Sequence, residues 1–299
     1  MFDTTPTLDC GGRPLALDRP RVMGIVNVTP DSFSDGGSHF DHDAAVAHGL
    51  ALAGEGADIL DIGGQSTRPG SEEVPLEEEL RRTVPVIERL ARETRLPLSI
   101  DTSRPEVMRA AVEAGAGMIN DVYALRREGA LDAAAELGVP VVLMHMLGEP
   151  RSMQDAPEYD DVVGEVHRFL AERIFAAEMA GIDRRRIIAD PGFGFGKTTA
   201  HNLALLAQLE RFAELGVPVL AGFSRKRSIG EITGREHPRE RAAGSVAAHL
   251  LAAQRGAVIL RVHDVAQTVD SLKVLAAVES VSLPRKRAPG PAIRWPEDD

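Results

Sequence analysis

Several features typical of secreted, membrane-spanning or nucleic-acid-binding proteins are scarce in this sequence. Its 299 residues include one cysteine, Cys10, so no internal disulfide can form, which fits a reducing cytoplasm. No apolar run reaches the roughly 18 residues that span a bilayer, and the first residues lack the basic-then-apolar pattern of a signal peptide. The net charge of −11 disfavours nucleic acid, because neutralising phosphates requires clustered cations. We therefore expect a cytoplasmic protein without membrane or nucleic-acid partners.

Short apolar runs alternate with helical patterns along most of the chain. The first run, residues 22–27, has the length and β-branched content of a buried strand. A stretch rich in turn-forming residues follows it, and a helical pattern begins near residue 43. Eight such units occur, and their alternation indicates parallel strands in an α/β protein. The pattern predicts a (β/α)8 TIM barrel, with an open doubly wound sheet as the alternative.

Both ends of the chain depart from this repeat. Residues 7–17, with Gly11 and Gly12 at their centre, predict a short N-terminal β-hairpin that covers the bottom of the barrel. Proline, glycine and charged residues dominate residues 284–299, which we expect to form a mobile C-terminal tail. The sequence thus predicts a single barrel domain over residues 1–283, followed by that tail.

Nearly every predicted strand ends on a polar residue. Because the active site of such a barrel lies at the C-terminal ends of its strands, we expect these side chains to converge. Carboxylates and amides beside cationic side chains suit a ligand with a donor-rich heterocycle at one end and a phosphate at the other. The residues are Asn27, Asp61, Asp101, Asn120, His145, Asp190, Lys226, Arg261 and His263.

Eight segments between residues 22 and 278 carry a family resemblance. In order they are MGIVNVTPDSFSDGG, DIGGQSTRPG, SIDTSRPEV, INDV, VVLMHM, DPGFGFGK, GFSRK and ILRVHD. Together they resemble the dihydropteroate synthase family. The resemblance implies that (7,8-dihydropterin-6-yl)methyl diphosphate condenses with 4-aminobenzoate, giving 7,8-dihydropteroate and diphosphate in folate biosynthesis. It also implies Mg²⁺ as a cofactor and a homodimer formed through the outer helices of the barrel.

The resemblance places the pterin against Asp101, Asn120, Asp190 and Lys226. A buried carboxylate such as Asp190 can accept two hydrogen bonds from the guanidine-like edge of a pterin, and Asn120 adds a neutral partner. Lys226 matches the lysine that bonds the pterin ring. Only four of the 34 basic residues are lysines, so a compact point donor looks selected here over the wide fork of arginine. Asp101 is expected to stabilise positive charge that develops on the pterin methylene carbon.

The resemblance also assigns residues to the diphosphate, namely Asn27, Thr67, Arg68, Arg261 and His263. Arg261 and His263 are separated by the single residue Val262, so their side chains lie on the same face if they are on a strand. Asn27 matches the family's Mg²⁺ ligand, and Mg²⁺ commonly takes few protein ligands beside substrate phosphate and water. Cations are expected to stabilise the departing diphosphate before the amine attacks, without a protein nucleophile. The expected catalytic residues are Asp101, Lys226, Arg261 and His263.

The remaining expectations concern 4-aminobenzoate and three ambiguous positions. The pocket for 4-aminobenzoate is expected at Thr67, Pro69, Phe195, Ser224 and Arg225. Gln65 stands where many members of the family have glutamate, so its role stays open. The stretch PGFGFGKT is close to a phosphate-binding P-loop, but Pro191 occupies the place of the required first glycine. His145 has no second ligand at metal-binding spacing, so we interpret it as a hydrogen-bonded histidine at the barrel mouth.

Two other functions share parts of this pattern. A pterin-binding methyltransferase domain has the same barrel and pterin-binding carboxylates, but it lacks loops such as TPDSFSDGG and STRPG and binds a corrinoid partner. A non-catalytic paralogue binds pterin without turnover, and the complete set of expected diphosphate and pterin residues argues against it. Diphosphate release in the presence of both substrates distinguishes all three functions.

Overall fold

Eight parallel strands close into a barrel, as the alternating sequence pattern predicts. The computed structural model describes residues 6–29, 38–66, 73–148 and 157–281. After a hairpin of β1 (Thr7–Asp9) and β2 (Pro14–Ala16), the barrel strands are β3 (Arg21–Asn27), β4 (Ile59–Gly63), β5 (Leu98–Asp101), β6 (Met118–Asp121), β7 (Val141–Met144), β8 (Ile187–Asp190), β9 (Val219–Ala221) and β10 (Ala257–Val262). Each barrel strand pairs with the next in the chain, and β10 pairs with β3. The open doubly wound sheet is thereby excluded.

Helices connect the strands around the outside of the barrel. The described α-helices are α1 (Ser38–Gly54), α2 (Leu76–Glu93), α3 (Pro105–Glu113), α4 (Ala130–Leu137), α5 (Val162–Met179), α6 (Thr199–Ala207), α7 (Arg227–Thr233), α8 (Ala242–Gln254) and α9 (Val265–Glu279). Side chains fix several starts; for example, Asp161 accepts a hydrogen bond from the Gly164 backbone N–H at the start of α5. Among the helices in the described ranges, none is long and apolar enough to cross a membrane.

The lower half of the barrel interior is apolar. Strand residues alternate between facing inward and packing against the helices, so every second residue points into the barrel. We call the inward-facing apolar group at the N-terminal ends of the strands the floor. It consists of the fully buried residues Met23, Ile59, Met118, Val142, Ile188, Leu220 and Ile259.

The predicted N-terminal hairpin is confirmed, and it closes the floor. Leu8, Cys10 and Leu15 are buried in the same cluster as the floor residues. Arg13, in the turn of the hairpin, donates to the carbonyl oxygens of Leu96 at 2.5 Å and Ala91 at 2.8 Å. These bonds attach the hairpin to the barrel because the acceptors lie beyond the end and in the last turn of α2.

Two helices on the outside of the barrel are bounded by irregular backbone. The helix α6 ends at Ala207, and a 3₁₀ segment, Leu209–Leu215, follows it. Gln208 separates the two, with φ of −116°, outside the helical range. The helix α7 begins only at Arg227, because Arg225 adopts a left-handed backbone conformation with φ of 57°. The predicted tail, 284–299, lies outside the described residues.

Candidate active site

Polar side chains line the barrel interior above the floor, where the sequence predicted convergence. Backbone pairing aligns Asn27 with Gly63, Gly63 with Asp101, and Asp101 with Asn120 on successive strands. Asp190 lies at the end of β8, two residues beyond the floor residue Ile188. We call this polar group the mouth. It comprises Asn27, Asp61, Asp101, Asn120, Asp190, Lys226, Arg261 and His263.

Arg261 bridges two carboxylates across the mouth. Its Nε donates to Asp61 Oδ2 at 2.6 Å, and its Nη2 donates to Asp101 Oδ2 at 2.7 Å. Asn120 Nδ2 donates to the same Asp61 oxygen at 3.1 Å. Asp61 is fully buried, and its Oδ1 has no hydrogen-bond partner among the described residues. A residue predicted to bind pterin, Asp101, is therefore in direct contact with one predicted to bind diphosphate.

The charge of Asp101 is finely balanced by this arrangement. Burial raises the pKa of its carboxyl group to about 7. The Arg261 guanidinium opposes this shift by favouring the ionised form, whereas the charge of Asp61 adds to it. A carboxylate held in this way can respond strongly to new positive charge beside it.

Lys226 lies against the loop that follows β8. Its Nζ donates to the Phe193 carbonyl oxygen at 2.5 Å and lies 4.0 Å from the centroid of the Phe195 ring. Burial lowers the pKa of this amine to about 7, whereas the carboxylate of Asp190 favours its charged form. The structure thus brings together Lys226, predicted for the pterin, and Phe195, predicted for 4-aminobenzoate.

Asp190 combines a structural contact with its predicted ligand-binding position. Its Oδ1 accepts a hydrogen bond from the Gly192 backbone N–H at 2.7 Å, which braces the loop after β8. The residue is 5% exposed, and burial raises the pKa of its carboxyl group. One oxygen of the carboxylate therefore holds the loop, while the residue as a whole stays within reach of the mouth.

Ser224, Arg225 and His263 form a second cluster beside the end of β10. The His263 backbone N–H donates to Ser224 Oγ at 3.1 Å, and the same oxygen lies 2.9 Å from His263 Nδ1. Arg225 forms a two-point ion pair with Asp264, with Nε–Oδ2 at 3.0 Å and Nη2–Oδ1 at 2.5 Å. The guanidinium of Arg225 thus fixes the turn from the β10 side, and its role toward 4-aminobenzoate stays a prediction.

Three predicted site residues, Thr67, Arg68 and Pro69, lie outside the described residues. Asn27 ends β3 with a half-buried side chain. Gln65 is also half-buried, and it lines a small cavity together with Glu79, Asp101 and Arg104.

Sequence reasoning missed the role of Lys197. Its side chain is 3% exposed, and its Nζ lies 2.9 Å from His145 Nδ1. His145 is thus a hydrogen-bonded histidine, as interpreted from the sequence. A lysine is rare in this chain, so its presence in a glycine-rich loop after a strand was a usable signal for Lys197 as it was for Lys226.

Comparison with known proteins identifies the class to which this barrel and mouth belong. The family profile described as a pterin-binding enzyme matches residues 23–263. Dihydropteroate synthase of Escherichia coli strain K12 is 51% identical over 269 residues, which cover 90% of this chain and 95% of that protein.

Solved structures agree with the sequence matches. Xanthomonas albilineans dihydropteroate synthase with 4-aminobenzoic acid is 74% identical, has a TM-score of 0.90, and is matched over 93% of this chain and 100% of that one. The X. albilineans enzyme in complex with 7,8-dihydropteroate is 72% identical, with a TM-score of 0.86 and the same two coverages.

The fold and the mouth are therefore those of a pterin-binding enzyme. More narrowly, the chain belongs to the dihydropteroate synthase family, whose members are transferases of folate biosynthesis. Because the match extends over nearly the whole of these enzymes, it favours a synthase over a pterin-binding methyltransferase domain.

Proposed function

We propose that the protein condenses (7,8-dihydropterin-6-yl)methyl diphosphate with 4-aminobenzoate at the mouth of its barrel, forming 7,8-dihydropteroate and diphosphate. The observation that carries this proposal is the pair of partly buried contacts that meet there. Arg261 joins Asp61 to Asp101 on one side, and Lys226 lies by Phe193 and Phe195 on the other. Family membership supplies the reaction, and the mouth supplies groups suited to each part of the substrates.

The pterin ring is proposed to bind between Asp190, Asn120 and Lys226. Asp190 is a buried carboxylate that can accept from the donor-rich edge of the ring, and Asn120 offers an amide fixed by its bond to Asp61. Lys226 can donate to the ring oxygen and nitrogen, because an ammonium has three donors and only one is directed at the Phe193 carbonyl.

The diphosphate is proposed to lie toward Asn27, Arg261 and His263, with Thr67 and Arg68 contributing from the second loop. Two carboxylates hold the guanidinium of Arg261 at the mouth. Its positive charge offers a local site for an anion in a chain whose net charge of −11 repels anions. An arginine fork matches phosphate oxygens in two places at once. Transfer of the Arg261 Nη2 from Asp101 to phosphate would leave Asp101 free to face the pterin.

Asn27 is proposed as the protein ligand of a Mg²⁺ ion. Its half-buried amide lies at the end of β3, on the same level of the barrel as Asp101. An amide oxygen is a hard donor of the type Mg²⁺ accepts, and Mg²⁺ usually takes its remaining ligands from substrate phosphate and water. When bound, Mg²⁺ would neutralise part of the charge of the diphosphate.

The reaction is proposed to proceed by departure of diphosphate from the pterin methylene carbon, followed by attack of the 4-aminobenzoate amine. The C–O bond to diphosphate breaks, and its electron pair leaves with the diphosphate, which Arg261 and His263 stabilise electrostatically. Asp101 then faces a methylene carbon bearing positive charge that the dihydropterin ring delocalises. The amine nitrogen forms the new C–N bond and releases a proton. Phe195, Ser224, Arg225, Thr67 and Pro69 are proposed to position the 4-aminobenzoate.

We propose further that the protein is a homodimer formed through its outer helices. Phe175 and Met179 lie one turn apart on α5 and are 64% and 72% exposed, and Leu203 on α6 is 44% exposed. Apolar side chains exposed on contacting helices are typical of an interface. Sedimentation equilibrium should give twice the chain mass of 32.1 kDa, and Phe175→Glu should shift it toward the monomer. A monomeric wild type would contradict this proposal.

A cytoplasmic location is also proposed, and the single thiol supports it. Cys10 is buried against the floor, where burial raises its pKa to about 12, so it is unreactive toward disulfide exchange.

The experiment that tests the proposed function measures both products. Purified protein is incubated with Mg²⁺ and both substrates, and diphosphate and 7,8-dihydropteroate are quantified in parallel. We expect equimolar products, no release when 4-aminobenzoate is left out beyond slow hydrolysis, and loss of activity with excess chelator that added Mg²⁺ restores. Pterin binding without either product would support the non-catalytic paralogue instead.

A further inference from the structure

Lys197 is a buried lysine whose acceptors include no carboxylate. Its Nζ lies 2.9 Å from the Gly192 carbonyl oxygen, 3.0 Å from the Phe195 carbonyl oxygen and 2.9 Å from His145 Nδ1. The His145 carbonyl oxygen is a more distant acceptor at 3.4 Å, and an ammonium has three N–H donors, which the three closer acceptors can take. Burial lowers the pKa of this amine well below its usual value, although the nearby carboxylate of Asp190 favours the charged form. The hydrogen bonds of Lys197 therefore fix the backbone of the surrounding loop.

Two of the carbonyls that Lys197 contacts, those of Gly192 and Phe195, lie on either side of the carbonyl that contacts Lys226. Gly192 and Phe195 bracket Phe193, whose carbonyl oxygen accepts from Lys226 Nζ. The Phe195 ring lies over the same Nζ. Lys197 therefore fixes the backbone immediately before and after the part of the loop that surrounds Lys226.

The loop packs so closely on Lys226 that small displacements matter. Gly194 has φ of 79°, and a Cβ there would lie 2.7 Å from Lys226 Cδ. Gly192 has φ of 69°, and a Cβ there would lie 1.9 Å from the His145 carbonyl oxygen. The backbone angles of these turns direct carbonyl oxygens into the protein interior. Because a buried carbonyl oxygen needs a hydrogen-bond donor, the conformation of the loop depends on the Lys197 ammonium.

His145 completes the arrangement as a neutral acceptor. Burial, with Lys197 as a further cause, lowers its pKa to about 2, so the ring stays neutral, and in the tautomer that carries the proton on Nε2 the Nδ1 atom accepts from Lys197. Its ring packs edge-on against Phe169, with centroids 4.8 Å apart. Tyr159 adds another restraint, because its hydroxyl donates to the Gly196 carbonyl oxygen at 2.8 Å.

We infer that Lys197 and His145 are a positioning pair for the substrate site. They hold the loop after β8 so that the Phe193 carbonyl and the Phe195 ring set the location of the Lys226 ammonium. This inference rests on the proposed function, in which Lys226 binds the pterin and Phe195 contacts 4-aminobenzoate. Neither member of the pair is expected to touch a substrate.

The test compares Lys197→Met with Lys273→Met, a change at a lysine on α9 that is exposed and paired with Asp270. Steady-state constants for both substrates, the pterin diphosphate Kd and the thermal midpoint are measured for each. We expect Lys197→Met to raise the Kd and both KM values by roughly tenfold or more, since the contacts of Lys226 and Phe195 shift together. Lys273→Met should keep the wild-type constants.

The change in KM distinguishes positioning from simple stabilisation. A residue needed only for stability would lower the thermal midpoint and the active fraction, while the folded enzyme kept its KM. His145→Phe keeps a ring beside Phe169 but removes the acceptor, so we expect a smaller rise in KM in the same direction. This second variant decides the question if Lys197→Met does not fold.

Two outcomes would overturn the inference in distinguishable ways. If the wild type is active and Lys226→Met weakens pterin binding, but folded Lys197→Met and His145→Phe keep wild-type KM values, the positioning pair is wrong and the proposed function stands. If the wild type forms no dihydropteroate, the proposed function is wrong, and the inference that rests on it is overturned as well.

Discussion

The two halves of the barrel interior are built by the same strands and have opposite chemistry. At the floor, Met23, Ile59 and Ile188 are fully buried and belong to one apolar cluster. Two residues beyond Ile59 and Ile188 on the same strands, Asp61 and Asp190 are also buried but carry carboxyl groups. The comparison shows that burial alone does not distinguish a hydrophobic core from a functional site. The chemical type of the buried side chains does.

The difference has an energetic meaning. Burying apolar surface stabilises the folded state, whereas burying a charge opposes it unless the charge is paired. At the mouth, burial brings the pKa of both Asp101 and Lys226 to about 7, from opposite sides. The floor therefore stabilises the fold, and the mouth holds groups in states that a substrate can change. Substitutions in the two halves should accordingly affect different measurements.

The largest effect is expected at the floor, on stability. Met23→Ala removes most of a fully buried side chain and should lower the free energy of unfolding by about 2–5 kcal/mol. The KM values of the folded enzyme should stay unchanged, because Met23 is separated from the mouth by Ile25. Urea denaturation and steady-state kinetics check both parts, and altered KM values with normal stability would contradict the division of the interior.

The next largest effect is expected at the mouth, on rate. Asp101→Asn keeps the size of the side chain but removes the charge that faces the methylene carbon in the proposed reaction. The rate constant kcat should fall on the order of a hundred- to a thousandfold, or about 2.7–4 kcal/mol, with a smaller change in pterin Kd. Single-turnover rates at saturating substrate, measured beside the Kd, check this. A near-normal rate with a raised KM would show that Asp101 only positions the substrate.

A smaller effect is expected on ground-state binding. Lys226→Met removes a half-buried charged donor and should raise the pterin diphosphate Kd by about tenfold to a hundredfold, the usual range for a charge-assisted hydrogen bond. Calorimetric titration gives the value, and the exposed Lys273→Met provides the control. An unchanged Kd in a folded Lys226 variant would remove Lys226 from the pterin site.

Two glycines with the same backbone angle separate strain from displacement of Lys226. Gly194 and Gly12 have φ of 79° and 80°, so alanine at either should cost stability by about 1–2 kcal/mol. A Cβ at Gly194 would meet Lys226 Cδ at 2.7 Å, whereas one at Gly12 would meet nothing within 4 Å. Only Gly194→Ala should therefore weaken pterin binding. Equal Kd values for the two variants would show that the loop and Lys226 are not coupled.

The smallest effect is expected from pH. The pKa of Lys226 is lowered to about 7, so the amine loses its proton as pH rises through that value. Pterin affinity should fall by roughly threefold to tenfold between pH 7 and pH 8, because only the protonated amine of Lys226 carries the charge that binds the pterin. The decline should be absent in Lys226→Met. A decline of equal size in that variant would assign it to another group.

The sequence was informative where the information is periodic. The apolar runs end at Asn27, Asp101 and Asp190, which are also the ends of the strands, and eight alternations of apolar run and helical pattern predicted a closed barrel. The pairing of Arg261 with Asp61 was not predictable, since these residues are 200 positions apart and nothing local joins them. Lys197 was missed for a related reason: its carbonyl partners face it only through the left-handed turns of the loop.

The central claim is that the mouth is where pterin diphosphate binds and reacts. A crystal structure of the protein with pterin diphosphate, Mg²⁺ and a non-reactive analogue of 4-aminobenzoate tests it most directly. We predict the ring against Asp190, Asn120 and Lys226, with the diphosphate toward Asn27 and His263 and the Arg261 Nη2 moved from Asp101 to a phosphate oxygen. A ligand bound elsewhere would contradict this claim. So would a bound diphosphate that makes no contact with Arg261 while Arg261 still bridges Asp61 and Asp101.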